Sequence, residues 1–240
     1  MTRPRLLDLF CGAGGAGVGY QRAGFDVVGV DIKPQPNYPF EFIQADALDV
    51  AEDARRMGFN AVHASPPCQQ FTAYRRRGAG VGDSYLNLIP ETREVLWAVG
   101  LPYVIENVPG APLRLPQTLC GSMFDLDVRR HRLFESNLII FTPKCRHHVW
   151  TERKYPAATN RTNRRFTCEV GVYRIPLEQQ KQAMGIDWPI TLRELSEAIP
   201  PAYTHWIGRE LLASMAVLPA GDRRRIWSTP LESEAPDLDD

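Results

Sequence analysis

Apolar runs that end in or near an acidic residue recur along the first half of the chain and alternate with stretches of helical spacing. A short continuous apolar run predicts a buried strand. The predicted strands cover residues 5–10, 26–31, 40–46, 60–64 and 102–106. Helices are predicted over residues 17–23, 51–57 and 88–99. Because strands and helices are predicted to alternate throughout, the pattern indicates an α/β fold with a parallel sheet and right-handed crossovers.

The candidate reactive and ligand-binding side chains lie at the ends of the predicted strands. Asp8, Asp31, Asp46, Cys68 and Glu106 fall at or near those ends. In an open parallel sheet, ligands bind beyond the carboxyl ends of the strands. We therefore expect a functional site along this edge of the sheet.

The composition is typical of a globular protein in a reducing compartment. The 240 residues, 44% of them hydrophobic, suffice for one α/β domain with a small appendage. Five cysteines without a repeating spacing argue against a disulfide framework. No apolar run is long enough to cross a bilayer, and residues 1–5 lead into a strand pattern rather than a signal-peptide core. We expect a cytoplasmic monomer without a membrane partner.

Charge is balanced overall but uneven along the chain. The formal net charge is +0, whereas residues 144–165 contain a single acid, Glu152, with Trp150 and Tyr155 among many basic residues. Those basic residues are Lys144, Arg146, Arg153, Lys154, Arg161, Arg164 and Arg165. Since basic side chains bind phosphates and aromatic rings stack on bases, this segment predicts contact with nucleic acid.

The turn after the first predicted strand is rich in glycine. Residues 10–17 satisfy the G-x-G-x-x-G pattern, whose glycines permit positive φ and let a cofactor approach the backbone. Asp31 is placed to bind the two hydroxyls of a ribose. An adenosine dinucleotide and S-adenosylmethionine both satisfy these contacts, and a tight turn without a ligand is the third interpretation.

Cys68 and Glu106 are the candidate catalytic residues. In Ser65-Pro66-Pro67-Cys68-Gln69, prolines end a strand and stiffen the segment that presents the thiol. A thiolate at the mouth of a sheet suits covalent catalysis, although many buried cysteines only pack. Glu106 ends an apolar strand, so partial desolvation would bias its pKa upward and let it protonate or hydrogen-bond a ring nitrogen. The alternative for Glu106 is a helix-capping or surface acid.

Four motifs in this order resemble those of the DNA cytosine-C5 methyltransferases. They are DLFCGAGG at residues 8–15, SPPCQ at 65–69, ENV at 106–108 and RRHR at 129–132. The segment AIPPA at residues 198–202 is similar to the final motif of that family. The resemblance covers nearly the whole chain up to Phe134 and resumes over residues 192–212. It implies a compact member with a Rossmann-like, S-adenosylmethionine-dependent methyltransferase fold and a small basic insertion.

The resemblance also implies a covalent mechanism. Carbon 5 of cytosine is a poor nucleophile, so the Cys68 thiolate would add to carbon 6 and turn the ring into an enamine. Glu106 would contact N3 and the exocyclic amine, and Arg130 and Arg132 would hold the base or its phosphate. By position in the family, the residues that would bind S-adenosylmethionine are Phe10, Gly12, Gly14, Gly15, Asp31, Ile32, Asp46 and Pro67.

A cytosine inside duplex DNA must be extruded from the stack before such chemistry. Residues 69–80 have the composition of a mobile loop that would assist, with an arginine cluster followed by glycines. The predicted nucleic-acid contacts are Arg75, Arg76, Arg77, Arg146, Arg153, Lys154, Arg164 and Arg165.

The chain departs from the family pattern at three places. Val128 stands where the family commonly has glutamine, and Ser196-Glu197 stands where it commonly has Gly-Asn. The region 137–190 is short for target recognition, which predicts a short or relaxed recognition sequence. Such economy of length suits a phage or mobile element, and a restriction-modification setting stays open.

The predicted organisation has four parts. Residues 1–136 form the catalytic and cofactor-binding domain, 137–190 the target-recognition module, 191–218 the return to the catalytic domain and 219–240 an acidic, disordered tail. No metal is predicted, because the spacing of Cys145, His147, His148 and Cys168 matches no common zinc finger. Cys11 and Cys120 are interpreted as packed side chains.

Three alternatives to a DNA methyltransferase remain. The nearest is the same chemistry on cytosine in RNA. A dinucleotide-dependent oxidoreductase would use the glycine turn, but it does not explain Cys68 and Glu106 together. A catalytically silent nucleic-acid-binding relative is disfavoured by the presence of every catalytic side chain, although the altered final motif leaves it open.

Overall fold

The computed structural model describes residues 2–67, 87–146 and 168–217, and its centre is a seven-stranded sheet. The strands are β1 (Arg5–Leu9), β2 (Asp26–Asp31), β3 (Glu41–Gln44), β4 (Ala61–Ala64), β5 (Tyr103–Asn107), β6 (Gln117–Leu119) and β7 (Arg132–Ser136). The helices are α1 (Gly15–Ala23), α2 (Ala47–Glu52), α3 (Ile89–Val99), α4 (Leu177–Met184), α5 (Leu192–Glu197) and α6 (Pro201–Val217). Across these described ranges, no helix combines the length and the apolar character that crossing a membrane requires.

The order of the strands places the topological switch point of the sheet between β1 and β4. The order is β3-β2-β1-β4-β5-β7-β6. The first five strands pair in parallel, whereas β7 is antiparallel to both β5 and β6. The chain runs outward from β1 on one side and from β4 on the other, so the carboxyl ends of these two strands flank the topological switch point.

Side chains of β1 alternate between the two faces of the sheet. Leu6 packs with Tyr20 and Tyr203 on the face covered by α1 and α6. Leu7 and Leu9 pack on the opposite face, with residues of α2 and α3. All three leucines are fully buried. Because both faces are covered, β1 has a nearly continuous apolar sequence rather than an alternating one.

Helix α6 holds α1, and with it the glycine-rich turn, against the sheet. The two helices approach so closely that a Cβ on Gly19 would lie 2.0 Å from Thr204 Oγ1. The Thr204 hydroxyl donates to the Ala16 carbonyl at 2.8 Å. The position of the turn therefore depends on a helix almost 190 positions away along the chain.

The five predicted strands are confirmed, with ends that shift by at most two residues. The predicted helix over residues 51–57 is wrong, because the Asp46 carboxylate accepts from the Leu48 N–H and starts α2 at Ala47. The predicted alternation throughout is also wrong, since the described residues 32–40 join β2 to β3 without a helix. The antiparallel strands β6 and β7 were not predicted.

Part of the predicted recognition module packs on the catalytic region. Met184 and Trp188 are buried in one cluster with Val18 and Val128. The Trp188 Nε1 donates to the Ala13 carbonyl at 2.8 Å, so this region supports the glycine turn. The four-part division stays a prediction, and residues 147–167 and the predicted tail lie outside the described residues.

Candidate active site

The glycine turn between β1 and α1 is shaped by close backbone approaches. Gly12 and Gly14 have φ of +48° and +92°, a region that disfavours larger residues. A Cβ on Gly14 would lie 2.7 Å from Pro39 Cδ, and one on Gly15 would lie 2.6 Å from the Ile199 carbonyl oxygen. A Cβ on Gly12 would meet nothing within 4 Å. The turn is therefore closed on two sides and open at Gly12.

The end of β2 faces this open turn. The Gly12 N–H donates to Asp31 Oδ2 at 3.2 Å, and the Lys33 N–H donates to Asp31 Oδ1 at 3.0 Å. Ile32 follows immediately and is 65% exposed. A carboxylate, an exposed apolar side chain and an open glycine turn thus lie together, as the binding of a ribose and an adenine would require.

Two other predicted cofactor residues have additional structural roles. Asp46 is exposed and uses Oδ1 to accept the Leu48 N–H at 2.8 Å, which leaves Oδ2 for a ligand. Phe10 adopts φ +55° and packs partly against the α2–α3 face. Its backbone conformation is uncommon for a non-glycine residue and reverses the chain into the turn.

Asp8 is a buried carboxyl below the turn that the sequence placed near the site without a role. Its Oδ2 accepts the Tyr38 hydroxyl at 3.1 Å, while Oδ1 has no hydrogen-bond partner among the described residues. Burial raises the pKa of Asp8 from 3.8 to about 8; Asp31 raises it too, whereas hydrogen bonds from Tyr38 and the Gly17 backbone lower it. Asp8 is therefore mostly protonated near neutral pH and adds little negative charge to the site.

Glu106 lies in β5 with its carboxyl buried. It is 5% exposed, and its Oε1 lies 3.2 Å from the Arg132 Nε. Burial raises the pKa of Glu106, while the charge of Arg132, a hydrogen bond from Ser65 and the charge of Arg130 lower it. The two arginines of the predicted motif therefore act on the same carboxyl, which combines a tendency to hold a proton with adjacent positive charge.

A buried hydrogen-bonded chain reaches Glu106 from α1. The Tyr20 hydroxyl lies 3.0 Å from His63 Nδ1, and His63 Nε2 lies 3.0 Å from Ser65 Oγ. Burial lowers the pKa of His63 to about 3, so the ring is neutral. Because Ser65 donates its proton to Glu106, it accepts from His63 Nε2, and His63 Nδ1 accepts from Tyr20. Sequence reasoning missed this chain, although a histidine inside the apolar run of β4 was a signal.

The segment that leaves β4 is tied to the end of β5. The Asn107 Nδ2 donates to the Pro66 carbonyl at 2.9 Å, and Asn107 Oδ1 accepts the Val108 N–H at 3.0 Å. The proline segment and the ENV motif are therefore one unit. Cys68 follows Pro67 in the sequence and lies outside the described residues, so its role as nucleophile stays a prediction.

The structure shows what surrounds two residues that depart from the family pattern, Ser196 and Val128. Arg130 donates to the backbone carbonyl of Ser196, and the Tyr203 hydroxyl donates to the Arg130 carbonyl at 2.6 Å. Because a backbone carbonyl holds Arg130, a glycine at position 196 would supply the same contact. Val128 is 1% exposed and packs in the cluster around Met184.

Most predicted nucleic-acid contacts stay predictions. Arg146 is exposed, and its backbone N–H donates to Ser122 Oγ at 3.1 Å. The other predicted contacts, which lie outside the described residues, are Arg75, Arg76, Arg77, Arg153, Lys154, Arg164 and Arg165.

The cysteines are grouped differently from the sequence interpretation. Cys145 lies with Cys120 and His131, and the ligand atoms of all three lie within 4.8 Å of one another. His147 and His148 lie outside the described residues, and the Cys168 sulfur donates instead to the Glu169 carbonyl. The four-residue arrangement considered from sequence is not tested, whereas the described residues bring the buried Cys120 together with two possible co-ligands.

Comparisons with known proteins find relatives both by sequence and by fold. No family model matches the chain. It is 31% identical to the type II methyltransferase M.HgiGI of Herpetosiphon aurantiacus over 120 residues, which cover 45% of this chain and 94% of the relative. It is 30% identical to M.HgiDI of the same organism over 133 residues, which cover 50% of this chain and 42% of the relative. The matched region therefore spans less than half the length of M.HgiDI.

Among solved structures, the chain is similar to the S. pombe Dnmt2 methyltransferase. The TM-score is 0.57 at 14% identity, and the match covers 89% of this chain and 99% of the other. The likeness confirms the predicted Rossmann-like methyltransferase fold. The open turn beside Asp31 and Ile32 fits the predicted cofactor, S-adenosylmethionine, which agrees with this fold.

Proposed function

Because this chain belongs to the type II methyltransferases, we propose that it transfers a methyl group from S-adenosylmethionine to carbon 5 of cytosine in DNA. The observation that carries the proposal is the buried Glu106 carboxyl, held by Arg132 and Ser65 beside the segment that leads to Cys68. A carboxyl and a nucleophilic cysteine at one site are what covalent attack on a pyrimidine needs. A dinucleotide-dependent oxidoreductase has no use for this pair.

The cofactor site is assigned to the edge formed by β1 and β2. Bound S-adenosylmethionine supplies an electrophilic methyl group. Asp31 accepts hydrogen bonds from the ribose hydroxyls, and Ile32 covers the adenine. The open side of Gly12 admits the ligand to the backbone. The remaining contacts are assigned to Phe10, Gly14, Gly15, Asp46 and Pro67.

Cys68 is the proposed nucleophile. Its thiolate would form a bond to carbon 6, and the displaced electron pair would make carbon 5 nucleophilic enough to take the methyl group. The bond between that methyl group and the sulfonium sulfur would break, with S-adenosylhomocysteine as the leaving group. When the proton of carbon 5 leaves to a base, the carbon 6–sulfur bond breaks and the thiolate returns. The prolines before Cys68 and the Asn107–Pro66 hydrogen bond fix the segment that carries the nucleophile.

Glu106 is the proposed partner of the cytosine edge. A protonated carboxyl donates to N3 while its other oxygen accepts from the exocyclic amine, and this pattern selects cytosine over thymine. Burial favours the protonated form, and Arg132 keeps the carboxylate form accessible when the proton is transferred. Positive charge near the base also stabilises the anionic ring that forms after cysteine attack.

DNA is the proposed substrate, and the base leaves the duplex before reaction. Extrusion costs a few kcal/mol, which contacts in the pocket offset. The basic side chains over residues 75–77 and 146–165 are proposed to hold the phosphates. The small region between the arginine motif and the final motif favours a short recognition sequence.

Methyl transfer from labelled S-adenosylmethionine, measured with DNA and with RNA of mixed sequence, tests the proposal. We expect transfer to DNA, loss of transfer in Cys68→Ser, and unchanged transfer in the control Cys168→Ser. DNA containing 5-fluorocytosine should trap a covalent adduct with the unmodified protein and not with Cys68→Ser, because carbon 5 then has no proton to lose. Transfer that survives Cys68→Ser, or that occurs on RNA alone, would contradict the proposal.

A further inference from the structure

Three side chains of metal-binding type meet at the antiparallel side of the sheet. Cys120 directly follows β6, His131 directly precedes β7, and Cys145 lies beyond the end of β7. The two sulfurs and a ring nitrogen of His131 all lie within 4.8 Å of one another. We propose that Cys120, His131 and Cys145 bind one Zn²⁺ ion.

The distances suit a tetrahedral centre. Zinc–sulfur bonds of about 2.3 Å and zinc–nitrogen bonds of about 2.0–2.1 Å at tetrahedral angles separate sulfur and nitrogen by about 3.6 Å. The Cys145 Sγ and His131 Nε2 lie 3.6 Å apart. Little movement of these two side chains is therefore needed to bind the ion.

A buried hydroxyl lies beside both sulfurs of the cluster. Ser122 Oγ lies 3.3 Å from the Cys120 Sγ and 3.4 Å from the Cys145 Sγ. The Arg146 N–H donates to Ser122 Oγ at 3.1 Å, so the single hydroxyl proton is available for a sulfur. Ser122 itself is 2% exposed. Three protein ligands leave the fourth tetrahedral position for a water molecule or a further side chain.

The donor set selects the class of ion. Two thiolates and an imidazole favour zinc and other thiophilic ions, whereas Mg²⁺ and Ca²⁺ take oxygen ligands. A disulfide between the two cysteines is the competing chemistry. It would leave His131 without a function in the cluster, although the imidazole nitrogen lies at ligand distance from Cys145.

The ion would act as a structural crosslink. The three ligands come from separate segments, so one ion joins the β6 end, the arginine motif and the chain that continues toward residues 147–167. His131 lies between Arg130 and Arg132, and fixing its side chain restrains the backbone that carries both arginines. Zinc binding and methyl transfer are separate properties, so either proposal can fail while the other holds.

Metal content tests the proposal directly. The full chain, produced with zinc in the medium and purified under reducing conditions, should contain about one zinc per chain by mass spectrometry of the metal. Cys168→Ser is the matched control and should retain that content. Cys145→Ser should bind zinc more than about 100-fold more weakly, because a lost ligand weakens binding more than a lost supporting group does.

A second measurement on the unmodified protein avoids reliance on a variant that fails to fold. Alkylation of Cys120 and Cys145, mapped by mass spectrometry, should speed up when a chelator removes the metal and slow again when zinc is restored. The proposal would be overturned by an absence of bound zinc or by equal zinc content in Cys145→Ser. It would also be overturned by an alkylation rate that the chelator does not change, or by a Cys120–Cys145 disulfide in the purified protein.

Discussion

Two buried glutamates on adjacent strands offer a matched test of which carboxyl is catalytic. Glu106 lies in β5 and Glu135 lies in β7, directly opposite Ile105. Glu135 accepts hydrogen bonds from Arg93 Nε at 2.6 Å, from Arg93 Nη2 at 2.8 Å and from the Arg114 backbone N–H at 2.7 Å. Glu106 makes a looser ion pair with Arg132 at 3.2 Å.

The two substitutions to glutamine should therefore separate stability from activity. Glu135→Gln leaves the buried Arg93 charge uncompensated and should lower the free energy of unfolding by about 3–5 kcal/mol. Glu106→Gln should lower it less, because the Glu106–Arg132 pair is longer, at 3.2 Å, and burial raises the pKa of this carboxyl toward the neutral form that glutamine resembles. Glutamine can still donate to N3 and accept from the exocyclic amine, but it has no proton to transfer to the ring. Loss of that proton transfer should reduce kcat/KM by about 10²–10³, which is about 3–4 kcal/mol of transition-state stabilisation.

Urea unfolding and methyl transfer at saturating S-adenosylmethionine measure the two quantities. Both variants are assayed below the denaturation midpoint of Glu135→Gln, so that the folded fraction is known. If Glu106→Gln retains full kcat/KM, or if folded Glu135→Gln loses activity as severely as Glu106→Gln, the assignment of Glu106 to the base is wrong.

Three further outcomes follow from the packing, the titration and the recognition region. Gly19→Ala should destabilise the protein by about 1–3 kcal/mol or more in urea unfolding, because the new Cβ would lie 2.0 Å from Thr204 Oγ1. The control Val217→Ala, at the exposed end of α6, should leave the free energy of unfolding unchanged. Equal stability of the two variants would contradict the packing argument. The pKa of His63 is lowered to about 3, so its contribution to stability is complete above pH 6.5 and is lost as the pH falls toward 3. The stability advantage of the unmodified protein over His63→Gln should shrink by up to about 1.4 kcal/mol for each pH unit below 6.5, and parallel pH profiles would refute this. Bisulfite sequencing of DNA treated with the enzyme should show a short or relaxed recognition sequence, whereas a long, strictly read site would contradict the small recognition region.

Features that depend on local sequence were predictable. The strands β1, β2, β4 and β5 are buried over most of their length, so their apolar runs stand out. Asp31 ends β2, and Glu106 lies one residue before the end of β5. The glycine turn was also predictable from local sequence, because the backbone has positive φ at Gly12 and Gly14, which glycine adopts readily. The start of α2 could also have been found, since Asp46 is an N-cap residue followed by a helical stretch.

Features that depend on distant partners were not predictable. β7 contains the buried Glu135, whose partner Arg93 lies 42 positions earlier, so the strand does not look apolar. His63 pairs with Tyr20 across 43 positions. The cluster of Cys120, His131 and Cys145 was not predictable either, because spacing along the chain says little about side chains on three separate segments.

The position of the transferred methyl group is the most direct test of the central claim. DNA incubated with the protein and S-adenosylmethionine is digested to nucleosides, and the methylated nucleoside is identified by mass spectrometry against standards. The cysteine and carboxyl assigned here predict 5-methylcytosine as the product, absent after Cys68→Ser. A product of N4-methylcytosine or N6-methyladenine would contradict the account, because methylation of an exocyclic amine requires no attack on carbon 6.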